Sequence, residues 1–187
     1  MKKVLLTPRL RLRAPQPGDE HAAHANWAQD GAVLTYLGWR SRADLAQTRA
    51  QLEWDQARWL KRSAFTWMVV EPGSTQSPTP VGMVQLVAQR LDAPPHHLRL
   101  GFLMARSHWG RGLMREAVAA VVDEAFSQSH VWRIDALCDI DNHASARLLH
   151  ALGFVHEGIL RRHTLHPNLS DEPRDVASFA VARSRPA

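Results

Sequence analysis

Cysteine occurs once in this chain, at Cys138. That excludes an internal disulfide and fits a reducing compartment. Long apolar runs are missing as well, and nothing approaches the roughly 18 residues a membrane-spanning helix needs. The start, "MKKVLLT", has two lysines but an apolar stretch of only three residues. A secretory leader needs an apolar core of about 7–15. The expectation is a cytoplasmic protein that meets no membrane. Lysine is scarce, at positions 2, 3 and 61 only, so arginine carries most of the net charge of +5. The arginines are scattered, with no block of five like charges. That pattern reads as a solvated surface and weighs against nucleic acid as a partner. His21 and His24 can share a helix face, but no cysteine or carboxylate cluster accompanies them, so no metal is expected. There is no internal repeat and no low-complexity tract, and the length suits one domain, 1–187.

What is present is a mixed set of elements. "RLRLRA", Arg9 to Ala14, alternates strictly and reads as a strand. Asp19 is placed to cap a helix running to about Asp30. A second helix covers Ser41 to Leu60, with Leu45, Leu52 and Trp59 roughly on one face. Phe65–Glu71, Val81–Gln89 and His97–Ala105 read as a three-strand meander, with the breaker-rich "EPGSTQSPTP" as a hairpin loop. A glycine turn leads into a helix from about Leu113 to Phe126. Val131–Cys138 is a strand and Asp141–Gly153 a helix stopped by its glycine. Two final strands, "FVHEGILRRHTL" and "DVASFAVAR", close the chain. A meander followed by β-α-β-α-β-β argues an α+β fold with a helical crossover in its second half.

The turn, "SHWGRGLMREA", asks for a ligand. A helix start leaves about four amide N–H groups unpaired and carries about half a positive charge, so phosphate suits it. Gly110 and Gly112 remove side chains that would hold a phosphate off, and Arg111 adds charge. No Gly-Lys-Ser/Thr follows and no third glycine does, which excludes a Walker loop and the dinucleotide fingerprint. Downstream, "DNHASARLLHALGF" puts Asn142 and Ser145 three apart in the first turn of another helix, on one face. Two helix starts side by side across a splayed parallel pair would enclose a crevice at the strand ends.

These blocks resemble the GNAT superfamily of N-acetyltransferases. "RSHWGRGLMREAVAAVVDEAF" is similar to its pyrophosphate loop, and "CDIDNHASARLLHALGFVHEGILRR" to its second block. "TPRLRLRAPQPGDEHAAH" resembles the start of the Rim type, which includes ribosomal-protein N-terminal acetyltransferases. The resemblance implies a mixed, mostly antiparallel sheet of about seven strands with helices on both faces. It would splay between the fourth and fifth strands, His97–Ala105 and Val131–Cys138. Acetyl-coenzyme A would lie in the splay, its pyrophosphate on backbone amides of Gly110, Arg111, Gly112, Leu113 and Met114. Asn142 would contact the pantetheine arm, and Arg111 and Arg147 are candidates for other phosphates. The acceptor would be a primary amine, either a protein N-terminal α-amine or a small molecule; a homodimer is allowed for. It would enter near Trp39 and the last hairpin, where Asp171, Glu172 and Asp175 could attract a cation.

The implied reaction has an amine attack the thioester, an oxyanion form and a thiolate leave. It needs a neutral amine, an oxyanion donor and a proton for sulfur. Here the chain departs from the superfamily pattern. The usual acid, a tyrosine seven residues after the asparagine, is replaced by Leu149. Ser145 is the replacement candidate, as Rim-type relatives suggest. The glutamate many relatives carry two residues before Gly101 is replaced by Arg99. His97, on the same strand face, is the candidate base, with Glu71 and Asp92 behind it. Two other readings stay open: a non-catalytic acyl-coenzyme A-binding module and a basic nucleic-acid binder.

Overall fold

The computed structural model describes residues 1–41, 44–72, 79–90 and 94–183. Its strands are β1 (Val4–Leu6), β2 (Arg11–Arg13), β3 (Ala64–Val70), β4 (Pro80–Ala88), β5 (His97–Met104), β6 (Arg133–Asp139), β7 (Val155–Thr164) and β8 (Arg174–Ala182). The helices are α1 (Asp19–Ala23), α2 (Gly31–Leu34), α3 (Leu45–Leu60), α4 (Leu113–Ser127) and α5 (His143–Ala151). All strands join one eight-stranded sheet, ordered β1-β2-β3-β4-β5-β6-β8-β7. The eighth strand is β1, too short and too close to the start for alternation to reveal it. It pairs Leu5 with Leu12.

Two local expectations need correction. Asp19 does not cap a helix; Gly18 precedes α1, and the Asp19 carboxylate takes two hydrogen bonds of 2.7 Å from Arg13. The helix expected as far as Asp30 stops being α-helical after Ala23. A π-type turn, His24–Ala28, follows, and Asp30 caps the short α2 through the Ala32 amide. Asp92 and most of the loop after Glu71 lie outside the described residues.

Strand alternation sorts the core onto two faces. Trp67, Val84, Leu86, Leu98 and Leu100 pack with Leu113, Val118 and Val121 of α4 and Leu149 of α5. On the other face Met68 and Leu103 pack with Ala23, Trp27 and Leu52 from the N-terminal helices. Every strand pair is antiparallel except one. β5 and β6 run parallel, joined by the α4 crossover, and pair only at His97↔Arg133, Leu98↔Ile134 and Arg99↔Asp135. Beyond those residues each strand runs on without the other.

Candidate active site

The divergence of β5 and β6 opens a cleft of about 810 Å³. Because successive residues of a strand point to opposite faces, the cleft is a slot through the sheet. On the α4 side it is lined by Leu100, Phe102, Ala136, Cys138, Leu113 and Ser145; on the α2 side by Val33, Tyr36, Leu37, Leu103, Leu137 and Asp139. A side chain added at Gly101 would meet nothing within 4 Å, as an open slot requires.

α4 begins at the slot. Gly112, its N-cap, has φ 73° and no side-chain cap, so the first-turn amides stay open. Gly110 also sits at positive φ, 74°. The one acid of the first turn is held by the N-terminal segment. Glu116 accepts from Thr7 Oγ1 at 2.5 Å, from the Arg9 amide at 2.9 Å and from Arg9 Nε at 2.6 Å. Arg9 Nη1 then donates to the Arg111 carbonyl at 2.9 Å. Burial pushes the Glu116 carboxyl up, but the bonds from Thr7 and Arg9 outweigh it and hold it below its ordinary value. The "TPR" of the first block thus braces the glycine turn from 100 residues away. Arg9→Gln is expected to weaken coenzyme A binding about tenfold in calorimetry, from loss of one charge-assisted bond to the turn. Unchanged affinity would show the brace to be idle.

Sequence placed Arg111 among the phosphate ligands, and its side chain goes elsewhere. Its guanidinium makes bonds of 3.0 and 2.7 Å to Glu71, which also lies 3.2 Å from His108 Nε2. Glu71 is thereby tied to the loop and removed from the candidates for a base. Gly110, Gly112, Leu113, Met114, Asn142, Ser145 and Arg147 do line the cleft. Arg106 bonds Asp30 at 3.1 Å, linking the loop to the start of α2.

α5 starts on the opposite wall. Asn142 Oδ1 accepts from the Ser145 amide at 3.1 Å, so Asn142 caps the helix and lines the cleft at once. Ser145 Oγ is half-buried and makes no hydrogen bond among the described residues. Beneath it Cys138 donates to the Asn142 and Asp139 carbonyls at 3.3 and 3.4 Å. Burial, reinforced by Asp139, pushes its thiol up to about 11, so it stays protonated at neutral pH.

His97 is not in this site. It stands where β5 and β6 are still paired, with Nε2 3.2 Å from Asp135 Oδ1. Four residues of strand separate it from Gly101, about 13 Å. The reason is directional: facing the same side as Gly101 does not bring a residue to the splayed end.

The α2 side of the slot was less legible. Tyr36, the chain's one tyrosine, lines it and donates to the Asp141 carbonyl at 3.3 Å. Asn168, from the segment between β7 and β8, donates to the carbonyls of Leu34 and Trp39 at 2.8 and 2.7 Å. Trp39 is partly buried against the second core cluster and does not line the cleft, where Tyr36 and Leu37 form the wall. At the end of β6, Asp139 accepts from Arg174 Nε at 2.7 Å and from the Asp141 amide at 3.0 Å. Burial pushes this carboxyl up, but Arg174 and the amide outweigh it and hold it below its usual value. Two acids of the last hairpin have basic partners, Asp171 3.4 Å from Arg40 and Glu172 3.6 Å from Arg162, while Asp175 accepts from the backbone amide of Arg162 at 2.8 Å. Among the described residues no group of three potential metal ligands occurs. Among the described residues no helix is long and apolar enough to cross a membrane.

A sheet split between parallel neighbours, with an open helix start in the split, is a seat that suits a phosphate-bearing coenzyme. Residues 9–155 match the family model described as an acetyltransferase (GNAT) domain, and the chain belongs to that family. It is therefore an acetyl-coenzyme A-dependent acyltransferase. The chain is 26% identical to the uncharacterized N-acetyltransferase YoaA of Bacillus subtilis over 185 residues, 99% of each chain. Its fold is similar to that of the ribosomal-protein-S5-alanine acetyltransferase of Vibrio fischeri (TM-score 0.82, 22% identity, 97% of each chain). It is also similar to RimL, a ribosomal L7/L12 α-N-protein acetyltransferase, in complex with coenzyme A (TM-score 0.83, 17% identity, 96% of this chain and 97% of that one).

Proposed function

We propose that the chain transfers an acetyl group to a primary amine by direct attack within a ternary complex, coenzyme on the α4 side of the slot and acceptor on the α2 side. The observation that carries this reading is the slot itself, open to both faces where the helix-start amides of α4 stand free. Acetyl-coenzyme A supplies the acetyl group as a thioester. The residues fit it: the amides after Gly110 and Gly112 hold its pyrophosphate, Arg147 adds charge at the rim, and Asn142 Nδ2, the half of its side-chain amide not used in capping, is spare for the pantetheine arm. Ser145, with a free hydroxyl on the same wall, donates to the sulfur as it leaves. Holding both partners in one slot accounts for much of the acceleration, on the order of 7–11 kcal/mol at best, so Ser145 needs only a modest share.

The acceptor side favours one amine on an apolar body. Val33, Leu37, Leu103 and Leu137 make that wall apolar, and Asp139, Asp171 and Glu172 each lie against an arginine. A peptide N-terminus suits such a mouth better than a polyamine, which needs several free carboxylates. Thiol release from acetyl-coenzyme A with a panel of peptides and small amines tests the reading. Release with an α-amine peptide supports it; coenzyme binding with release from no amine refutes it in favour of a binding module. Ser145→Ala is expected to lower kcat about 10- to 100-fold while thermal stability holds, measured by the same assay. An unaltered rate removes Ser145 from the chemistry.

A further inference from the structure

Resting on the acetyl-transfer reading, a further inference concerns where the acceptor's proton goes. His166 lies between β7 and β8 and is 5% exposed. Both ring nitrogens are shut off from solvent, and among the described residues only the Leu37 backbone and, more distantly, Asp139 approach them. Dehydrating an imidazole with so few partners is costly, so its position calls for a reason.

Its surroundings supply one. Nε2 stands 3.5 Å from Asp139 Oδ2. Tyr36 meets the ring edge-on, centroids 6.4 Å apart, and the Leu37 backbone faces it from the same segment. Asp139, Tyr36 and Leu37 all line the acceptor side of the slot. His166 is thus one layer behind the wall that would hold the amine. The charges facing it are the Asp139 carboxylate from β6 and the Arg174 guanidinium from β8. Burial, then Arg174, outweigh Asp139 and hold the imidazole below the ordinary histidine value. At neutral pH it is neutral, the form that can accept a proton.

We propose that His166 takes the proton of the acceptor's ammonium through water that enters from the slot between Tyr36, Leu37 and Asp139 when the acceptor is bound, and that Asp139 orients the ring and steadies its charged form. An N–H bond of the ammonium breaks, the proton joins a ring nitrogen, and the freed lone pair on the amine attacks. The imidazolium returns its proton to solvent before the next turnover. The other ionisable groups serve less well. Asp139 is locked by Arg174 and a backbone amide, Glu71 is held by Arg111 and His108, and His97 stands at the closed end.

The test is kcat against pH for the full chain and for His166→Gln, with saturating acetyl-coenzyme A and the best peptide or amine from the thiol-release panel. Coenzyme A affinity is measured alongside. The unmodified chain is expected to lose turnover on the acid side with an apparent pKa below about 6.5. His166→Gln is expected to be about 100-fold slower at pH 7, to lose that acid limb and to keep its coenzyme affinity. A variant that keeps both rate and limb overturns the proposal. If the variant fails to fold, NMR titration of the ring in the unmodified protein decides. A ring titrating with the kinetic limb supports the proposal, and one titrating elsewhere overturns it. If the unmodified chain acetylates no amine, the acetyl-transfer reading falls and takes this proposal with it, whereas a fast variant removes His166 alone.

Discussion

Gly112→Glu should abolish coenzyme A binding, raising its dissociation constant more than 100-fold, while the protein still folds. Two effects combine at this position. The backbone is left-handed, φ 73°, which costs a non-glycine residue about 1–2 kcal/mol. The new carboxylate would also stand at the open end of α4, the proposed seat of the pyrophosphate, and would compete for the same amides. A Cβ here would lie 3.7 Å from Arg9 Nη2, so space alone does not forbid the side chain. Gly112→Ala separates the two effects, since it carries the backbone strain without the charge. It should lower the melting temperature by a few degrees and weaken coenzyme A binding much less. Calorimetry on both variants checks this; equal losses for alanine and glutamate would point to strain alone.

The second large effect is on stability. The Asp139 side chain is fully buried and takes hydrogen bonds from Arg174 and the Asp141 amide. Asp139→Asn keeps the shape and removes the charge, leaving Arg174 with Asp141 alone. Breaking a buried pair costs about 3–5 kcal/mol, and the remaining partner puts this case near the lower end. For a chain of this size that is a fall of roughly 6–12 °C in melting temperature. The pH dependence carries a sign. The native carboxyl sits below its ordinary value of 3.8, so its contribution is present above that pH and is lost as pH falls through the native value. The gap between the two proteins should therefore be full at pH 7 and shrink as the pH is taken below 3.8. Urea unfolding at the two pH values measures it; a gap independent of pH would assign the cost to packing.

How much of this was legible in the sequence follows from how local each signal is. The α4 and α5 starts were readable because glycine spacing, helix caps and apolar stripes are local. The slot between β5 and β6 was expected from the resemblance, and three register pairs now give its position. Arg111 illustrates the limit: its charge beside two glycines pointed to phosphate, but Glu71, 40 residues earlier, holds its side chain. The brace of Thr7 and Arg9 on Glu116 spans more than 100 residues and leaves no periodic trace. Tyr36, Asn168 and His166 share that difficulty, because loops brought together by the sheet order have no pattern of their own. His97 failed for a different reason. Alternation fixes the face a residue occupies, not its height along a strand, and only one end of β5 opens.

The central claim is that the divergence of β5 and β6 seats the coenzyme and joins it to the acceptor mouth. A crystal structure with coenzyme A bound tests this most directly. The account predicts the pyrophosphate on the amides of residues 110–114, the pantetheine arm beside Asn142, and the sulfur within about 3.5 Å of Ser145 Oγ, facing the opening lined by Tyr36 and Leu137. A coenzyme seated elsewhere, or one whose sulfur lies away from the slot, would contradict it.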